Sequence, residues 1–237
     1  MTTGPALPHQ PLEPVRSGNV FEDTMGALLR RIRLGQFPAG GKLPPERELS
    51  QALRVSRTTL REVLADLSKN GYVTVRRGRY GGTYVEEVPP LSGRVIKDLD
   101  VDDVVDLLTL RRVVEPAAAG LAAARGVNDE QASALWAAHE ECCQVGPAQY
   151  RPLDSRLHLM IADASGSLRL RAVIAETRAG VNDLLDCIPL LPSNLDHSAH
   201  QHAAIVAAIT DGQATTAERA MLDHLDGTAA LLRGFLG

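Results

Sequence analysis

The chain reads as a mainly α protein in two parts, an N-terminal winged helix-turn-helix with a small β-hairpin and a C-terminal antiparallel all-α bundle. Three observations predict this. Residues 44–64 hold two short helical patterns, the second rich in arginine and hydroxyl side chains. Residues 72–85 place two strand-like runs around a basic, glycine-bearing tip. From Val101 onward strand signals disappear, and Ala, Leu, Val and Arg recur at helical spacing. A length of 237 residues also exceeds the ~150 residues of a single domain.

Residues 1–19 contain Pro5, Pro8, Pro11 and Pro14 with few large apolar side chains, the composition of a disordered leader. The winged domain is expected over 20–87. Its first helix, 20–34, sets Val20, Met25, Leu28, Leu29 and Ile32 on one side and ends at Gly35. Pro45 suits the first turn of the next helix, where a missing N–H costs nothing, and Glu46 and Glu48 favour that positive end. Ser56 fits the N-cap of a third helix that stops at Gly71. Leu60, Val63, Leu64 and Leu67 give that helix a buried face, which leaves Arg57 and Arg61 one turn apart on the open side with Thr58 beside them. Such a surface meets phosphates and base edges. Residues 72–76 and 83–85 read as the strands of the wing.

A linker is expected over 88–100, with Pro89 and Pro90 near its start, followed by the helical domain over 101–237. Gly126, Gly146-Pro147, Gly166, Pro189 to Pro192 and Gly212 divide that domain into about six helices, at 101–124, 129–144, 149–164, 168–187, 195–211 and 214–234. A bundle of this size buries its own core.

The overall charge of −4 hides an asymmetry. Residues 20–87 hold 12 Lys and Arg against 8 Asp and Glu, a net of +4, whereas 88–237 hold 12 against 20, a net of −8. The basic part is the one with the helix-turn-helix, as binding to a polyanion requires. The three cysteines, two adjacent at Cys142 and Cys143, give neither a disulfide framework nor a CxxC metal pair, which fits a reducing compartment. No apolar run approaches the ~18 residues of a membrane span, and no charged-then-apolar signal opens the chain. A cytoplasmic protein is expected.

Asp154 and His158 lie four apart on one expected helix, His202 opens the apolar run of the fifth, and His224 sits in the last. One carboxylate and three imidazoles from three helices suit a divalent transition metal such as Zn, Ni, Mn or Fe. Spacing alone leaves the question open. Lone helical histidines are commonly hydrogen-bonded core or surface residues, and His197 and His200 compete as ligands.

The run Ser56-Arg57-Thr58-Thr59-Leu60-Arg61-Glu62-Val63-Leu64 resembles the GntR family of bacterial repressors, and within it the FadR subfamily. The C-terminal half resembles that subfamily's FCD effector domain, through Arg111 four before Glu115, Asp154-x3-His158, the run from His202 to Ile209, and His224-Leu225. The likeness covers about residues 20–237. It implies that Asp154, His158, His202 and His224 are metal ligands, with Zn the first candidate and Ni or Mn the others. It further implies that Arg47 and Arg57 read bases with Thr58 nearby, that Ser56, Thr59 and Arg61 hold phosphates, and that Arg77 and Gly78 approach the minor groove. Arg54 stands where the family usually has glycine and the turn favours a left-handed backbone, a substitution that costs about 1 kcal/mol. Tyr80-Gly81-Gly82 makes a longer wing tip than in many relatives, and Leu157 and Ser167 replace a common Phe and Asn without removing a ligand.

Three histidines and one aspartate leave coordination positions for an oxygen ligand. A small organic acid is therefore expected in the bundle, its carboxylate at the metal and its far end approaching Arg111, a residue that also suits an ion pair with Glu115. The full expectation is a homodimer that binds an inverted-repeat operator in double-stranded DNA and is released by that acid. The rivals are a metal-independent regulator responsive to fatty acyl-CoA and a helical metalloenzyme; the second leaves the winged helix unexplained.

Overall fold

A computed structural model of the chain describes residues 19–33, 36–78, 81–86, 101–186, 188 and 192–236. The chain divides into two compact units, Met1–Pro90 with Ala230–Gly237, and Leu91–Ala229. Apart from Asn19, the expected leader lies outside the described residues, as does the expected linker.

In the first unit α1 (Val20–Arg33) and α2 (Glu46–Leu53) pack on α3 (Arg57–Lys69), which in turn meets β1 (Val73–Arg76). The antiparallel partner of β1 is β2 (Gly82–Val85), in a register that pairs Val73 with Val85 and Arg76 with Gly82. Met25, Leu28, Leu29, Leu49, Leu60, Val63 and Leu67 form the centre of this unit. Phe21 is buried in α1, whereas Val20 is only half-buried at its first position. Pro45 occupies the N-cap of α2 and not its first turn. Its extended backbone (φ −53°, ψ 143°) precedes the helix, and its carbonyl accepts from Glu48 N at 2.8 Å and Leu49 N at 3.0 Å.

Between α2 and α3 the backbone of Arg54 is left-handed (φ 55°, ψ 40°), the only such non-glycine residue among those described. Ser56 then caps α3, accepting from Thr59 N at 2.9 Å. Gly71 (φ 79°) turns the chain into the wing, a backbone conformation that a Cβ would oppose.

The second unit holds α4 (Val101–Arg125), α5 (Asp129–Gln144), α6 (Pro147–Ala164), α7 (Leu168–Asp186), α8 (Pro192–Thr210) and most of α9 (Ala214–Leu236). These follow the six expected helices. The two earlier starts, at 147 and 192, place a proline at the helix entrance, where its fixed φ is already helical. α5 opens with a capping box in which Asn128 and Gln131 exchange side-chain and backbone hydrogen bonds. Leu135, Leu157, Ile161, Ile205, Val206, Ile209, Met221 and Leu225 build the core from α5, α6, α8 and α9. Among the described residues no helix is long and apolar enough to cross a membrane.

Candidate metal centre and DNA-reading helix

Asp154, His158, His202 and His224 converge inside the second unit. All four are buried, and each offers one ligand atom within 4.8 Å of the other three. Asp154 and His158 meet because they lie one turn apart on α6, while α8 and α9 bring His202 and His224. His202 Nε2 is 3.3 Å from both His224 Nε2 and Asp154 Oδ1, and His158 Nε2 is 3.8 Å from the same oxygen. Ligands about 2.0–2.2 Å from one ion lie roughly 3–4 Å apart, depending on the coordination angle, so these spacings fit a transition metal.

The outer nitrogens decide which inner ones are free. Glu115 on α4 presents Oε2 to His158 Nδ1 and accepts from Arg111 Nε on Oε1 at 2.8 Å. Burial raises the Glu115 carboxyl, but Arg111, His158 and Arg178 outweigh that and hold it well below the usual carboxylate range. An ionised carboxylate only accepts, so His158 carries its proton on Nδ1 and leaves Nε2, which is buried without a partner, for a ligand role. His224 is set in the same way, donating from Nδ1 to Gln201 Oε1 at 2.9 Å. Burial lowers His202 to about 3 against the attraction of Asp154, and lowers His224 well below the imidazole range. Both are neutral at pH 7, as ligation demands. Asp154 is held ionised by Arg178 and the histidines against the opposing effect of burial.

Sequence reasoning found the quartet and Arg111, and it paired Arg111 with Glu115, as observed. It missed the second acceptor role of Glu115, and it missed Arg178 and Gln201 entirely. His200 instead bonds Asp196 O at 2.7 Å and is exposed. The Cys142 thiol is pushed up to about 12 by burial and then by Asp154, so it offers no thiolate here.

In the first unit Arg57, Thr58 and Arg61 are exposed along the open side of α3, and Arg47 is exposed on α2. Ser56 and Thr59 are tied together by the cap, with their hydroxyl oxygens 2.8 Å apart. Arg61 Nε pairs with Glu46 Oε2 at 2.7 Å. Such exposed pairs contribute little to stability. Arg77 and Gly78 are exposed at the end of β1, and Arg76 lies over the Tyr84 ring at 4.4 Å. Arg79 and Tyr80 of the expected wing tip fall outside the described residues.

The sequence pattern of bacterial regulatory proteins of the gntR family matches residues 22–85, and that of the FCD domain matches residues 106–227. The chain belongs to the GntR family. This regulator is 31% identical over 240 residues to an Escherichia coli (strain K12) protein named for regulation of an L-lactate dehydrogenase operon, covering 94% of this chain and 88% of that protein. It is 29% identical over 224 residues to the Uxu operon transcriptional regulator of the same organism, with 89% and 86% covered. The solved structure of E. coli McbR/YncC shares its fold at a TM-score of 0.52 and 17% identity, over 90% of this chain and 96% of that one. This GntR-family member is a ligand-responsive DNA-binding transcriptional regulator and not an enzyme. Its FCD unit contains a buried Asp/His cluster able to hold a metal ion.

Proposed function

We propose that this regulator is a cytoplasmic, homodimeric repressor that binds an inverted-repeat operator and is released when a small carboxylate enters a metal-containing pocket of the FCD unit. The observation that carries the reading is the convergence of Asp154, His158, His202 and His224, buried and within 4.8 Å, with His158 and His224 fixed in the ligating tautomer by Glu115 and Gln201. Zn fits three imidazoles and one carboxylate best, and Ni or Mn would be held by the same atoms. When bound, the ion supplies a Lewis-acidic anchor for an effector oxygen. Arg111, which keeps Nη1 free of any partner while Nε is bound to Glu115, is suited to the far end of the effector.

On DNA, Arg47 and Arg57 read guanine edges through paired N–H donors with Thr58 beside them. Ser56, Thr59 and Arg61 hold phosphates and fix register, while Arg77 and Gly78 approach the minor groove. The winged-helix domain is read over 20–87 and the effector and dimerisation domain over 101–237, although Ala230–Gly237 group with the first compact unit. Two copies give two half-sites, and the effector needs to favour the non-binding dimer arrangement by only ~1–3 kcal/mol.

The test uses an operator obtained by in vitro selection with the purified full chain. The His158→Ala/His202→Ala double variant is expected to lose metal on elemental analysis and to stay on the operator when carboxylates release the metal-loaded wild type. Metal retained at wild-type stoichiometry by that variant removes the site assignment. Wild-type protein without metal that leaves the operator on addition of acyl-CoA replaces this reading with the lipid-responsive one.

A further inference from the structure

Among the described residues two guanidiniums enter the buried charge cluster, those of Arg111 and Arg178. Arg178 on α7 is 2% exposed, as is Arg111. Its Nη2 donates to Asp154 Oδ2 and, at 3.1 Å, to Ser155 Oγ, which Asn182 Nδ2, one turn further along α7, also reaches at 2.9 Å. Arg178 thereby takes one oxygen of Asp154. The other, Oδ1, faces His202 and His158 and accepts the Tyr150 hydroxyl at 3.3 Å.

The charge balance of this cluster constrains what can enter it. Arg111 and Arg178 contribute two positive charges, Glu115 and Asp154 two negative ones, and ligating histidines none, so among the described residues the charges of this cluster sum to zero. A divalent ion raises the sum to +2 in a desolvated volume, where uncompensated charge is expensive. A singly charged acid leaves half of that charge unmatched. A doubly charged one restores neutrality. The guanidiniums also have donors to spare: Arg111 Nη1 and Arg178 Nε are both buried without a hydrogen-bond partner.

We propose that the effector is a dianion, a small dicarboxylate with or without hydroxyls, and that Arg178 binds it as a second cation beside Arg111 while holding Asp154 to a single inward oxygen. This rests on the reading that the quartet carries a divalent metal.

The experiment compares pairs of acids that differ by one carboxylate, succinate against butyrate and L-malate against 3-hydroxybutyrate. Binding to the metal-loaded full chain is measured by calorimetry and thermal melts at fixed ionic strength, with metal content measured on the recovered protein. Within a pair the dicarboxylate is expected to bind at least tenfold more tightly. Arg178→Gln should reduce that ratio to near one while keeping the metal, and Arg178→Lys, which retains the charge, should restore part of it. The wild-type ratio and the lysine variant decide the matter if the glutamine variant does not fold. Ratios below threefold in wild type, a ratio unchanged in Arg178→Gln, or no binding by any dicarboxylate of four to six carbons overturns the proposal. Wild-type protein that binds no divalent metal instead overturns the reading beneath it.

Discussion

Glu115→Gln separates the two tasks of a buried carboxylate, because its oxygens go to different partners. Oε1 neutralises Arg111 across 2.8 Å, and Oε2 accepts from His158 Nδ1. Glutamine keeps one acceptor for Arg111 and turns an NH2 donor toward the Nδ1–H of His158. To avoid two opposed donors, His158 must move its proton to Nε2, the nitrogen that faces the quartet. Loss of such an outer partner costs 10- to 100-fold in metal affinity, about 1.4–2.7 kcal/mol at 1.36 kcal/mol per decade. Removing one partner of a buried pair also leaves a guanidinium unmatched, at about 3–5 kcal/mol of stability. Competition titration against a chromophoric chelator at pH 7.5, with a thermal melt on the same sample, measures both. The Arg111→Met/Glu115→Gln double variant isolates the tautomer effect: stability should recover while metal affinity stays low. A folded Glu115→Gln protein whose metal affinity lies within threefold of wild type refutes the argument.

Arg54→Gly relieves a left-handed backbone at an exposed position and should stabilise the N-terminal unit by about 1 kcal/mol, raising its melting midpoint by a few degrees; a lower midpoint contradicts this. Arg57→Ala removes an exposed side chain, so stability should stay within about 0.5 kcal/mol of wild type while preference for the selected operator over scrambled duplex disappears. Tight operator binding by that variant, read by fluorescence anisotropy, excludes the base-reading role. The metal-free protein should lose stability as pH falls below about 6.5. His202, lowered to about 3, and His224 cannot take up the protons that their unfolded counterparts bind in that window, so acid favours unfolding. His202 alone accounts for about 2 kcal/mol at pH 5. Urea midpoints that do not change between pH 8 and 5 would contradict the burial of neutral imidazoles.

Most of the architecture was legible because it is written in local terms. Gly71, Gly126, Gly166 and Gly212, which end helices in the sequence pattern, all have positive φ in the structure. Leu60, Val63, Leu64 and Leu67 are all buried, as their spacing requires. The quartet was legible only as a pattern completed by family resemblance, since three of its members come from separate helices. What could not be read was the shell around it. Arg169, Arg171 and Arg178 all lie on α7 and look alike in sequence, but only Arg178 is buried against Asp154, a contact between residues 24 apart. Gln201 directly precedes His202 but serves His224, 23 residues away. Helical periodicity carries no information about which helix supplies the opposite face.

The sequence distances within the centre bear on how quickly an ion can enter or leave. Glu115 meets His158 across 43 residues, Asp154 meets Arg178 across 24, and His202 meets His224 across 22, so five helices must assemble before the site is complete. The unfolded or partly opened chain holds no such arrangement, and the free energy of binding accrues to the closed unit. Exchange of an ion held there would thereby be limited by the frequency of opening of the helical unit, a local unfolding event, and not by diffusion to the surface. An effector that reaches the same four side chains must pass the same shell, so its entry and release would be tied to those openings as well.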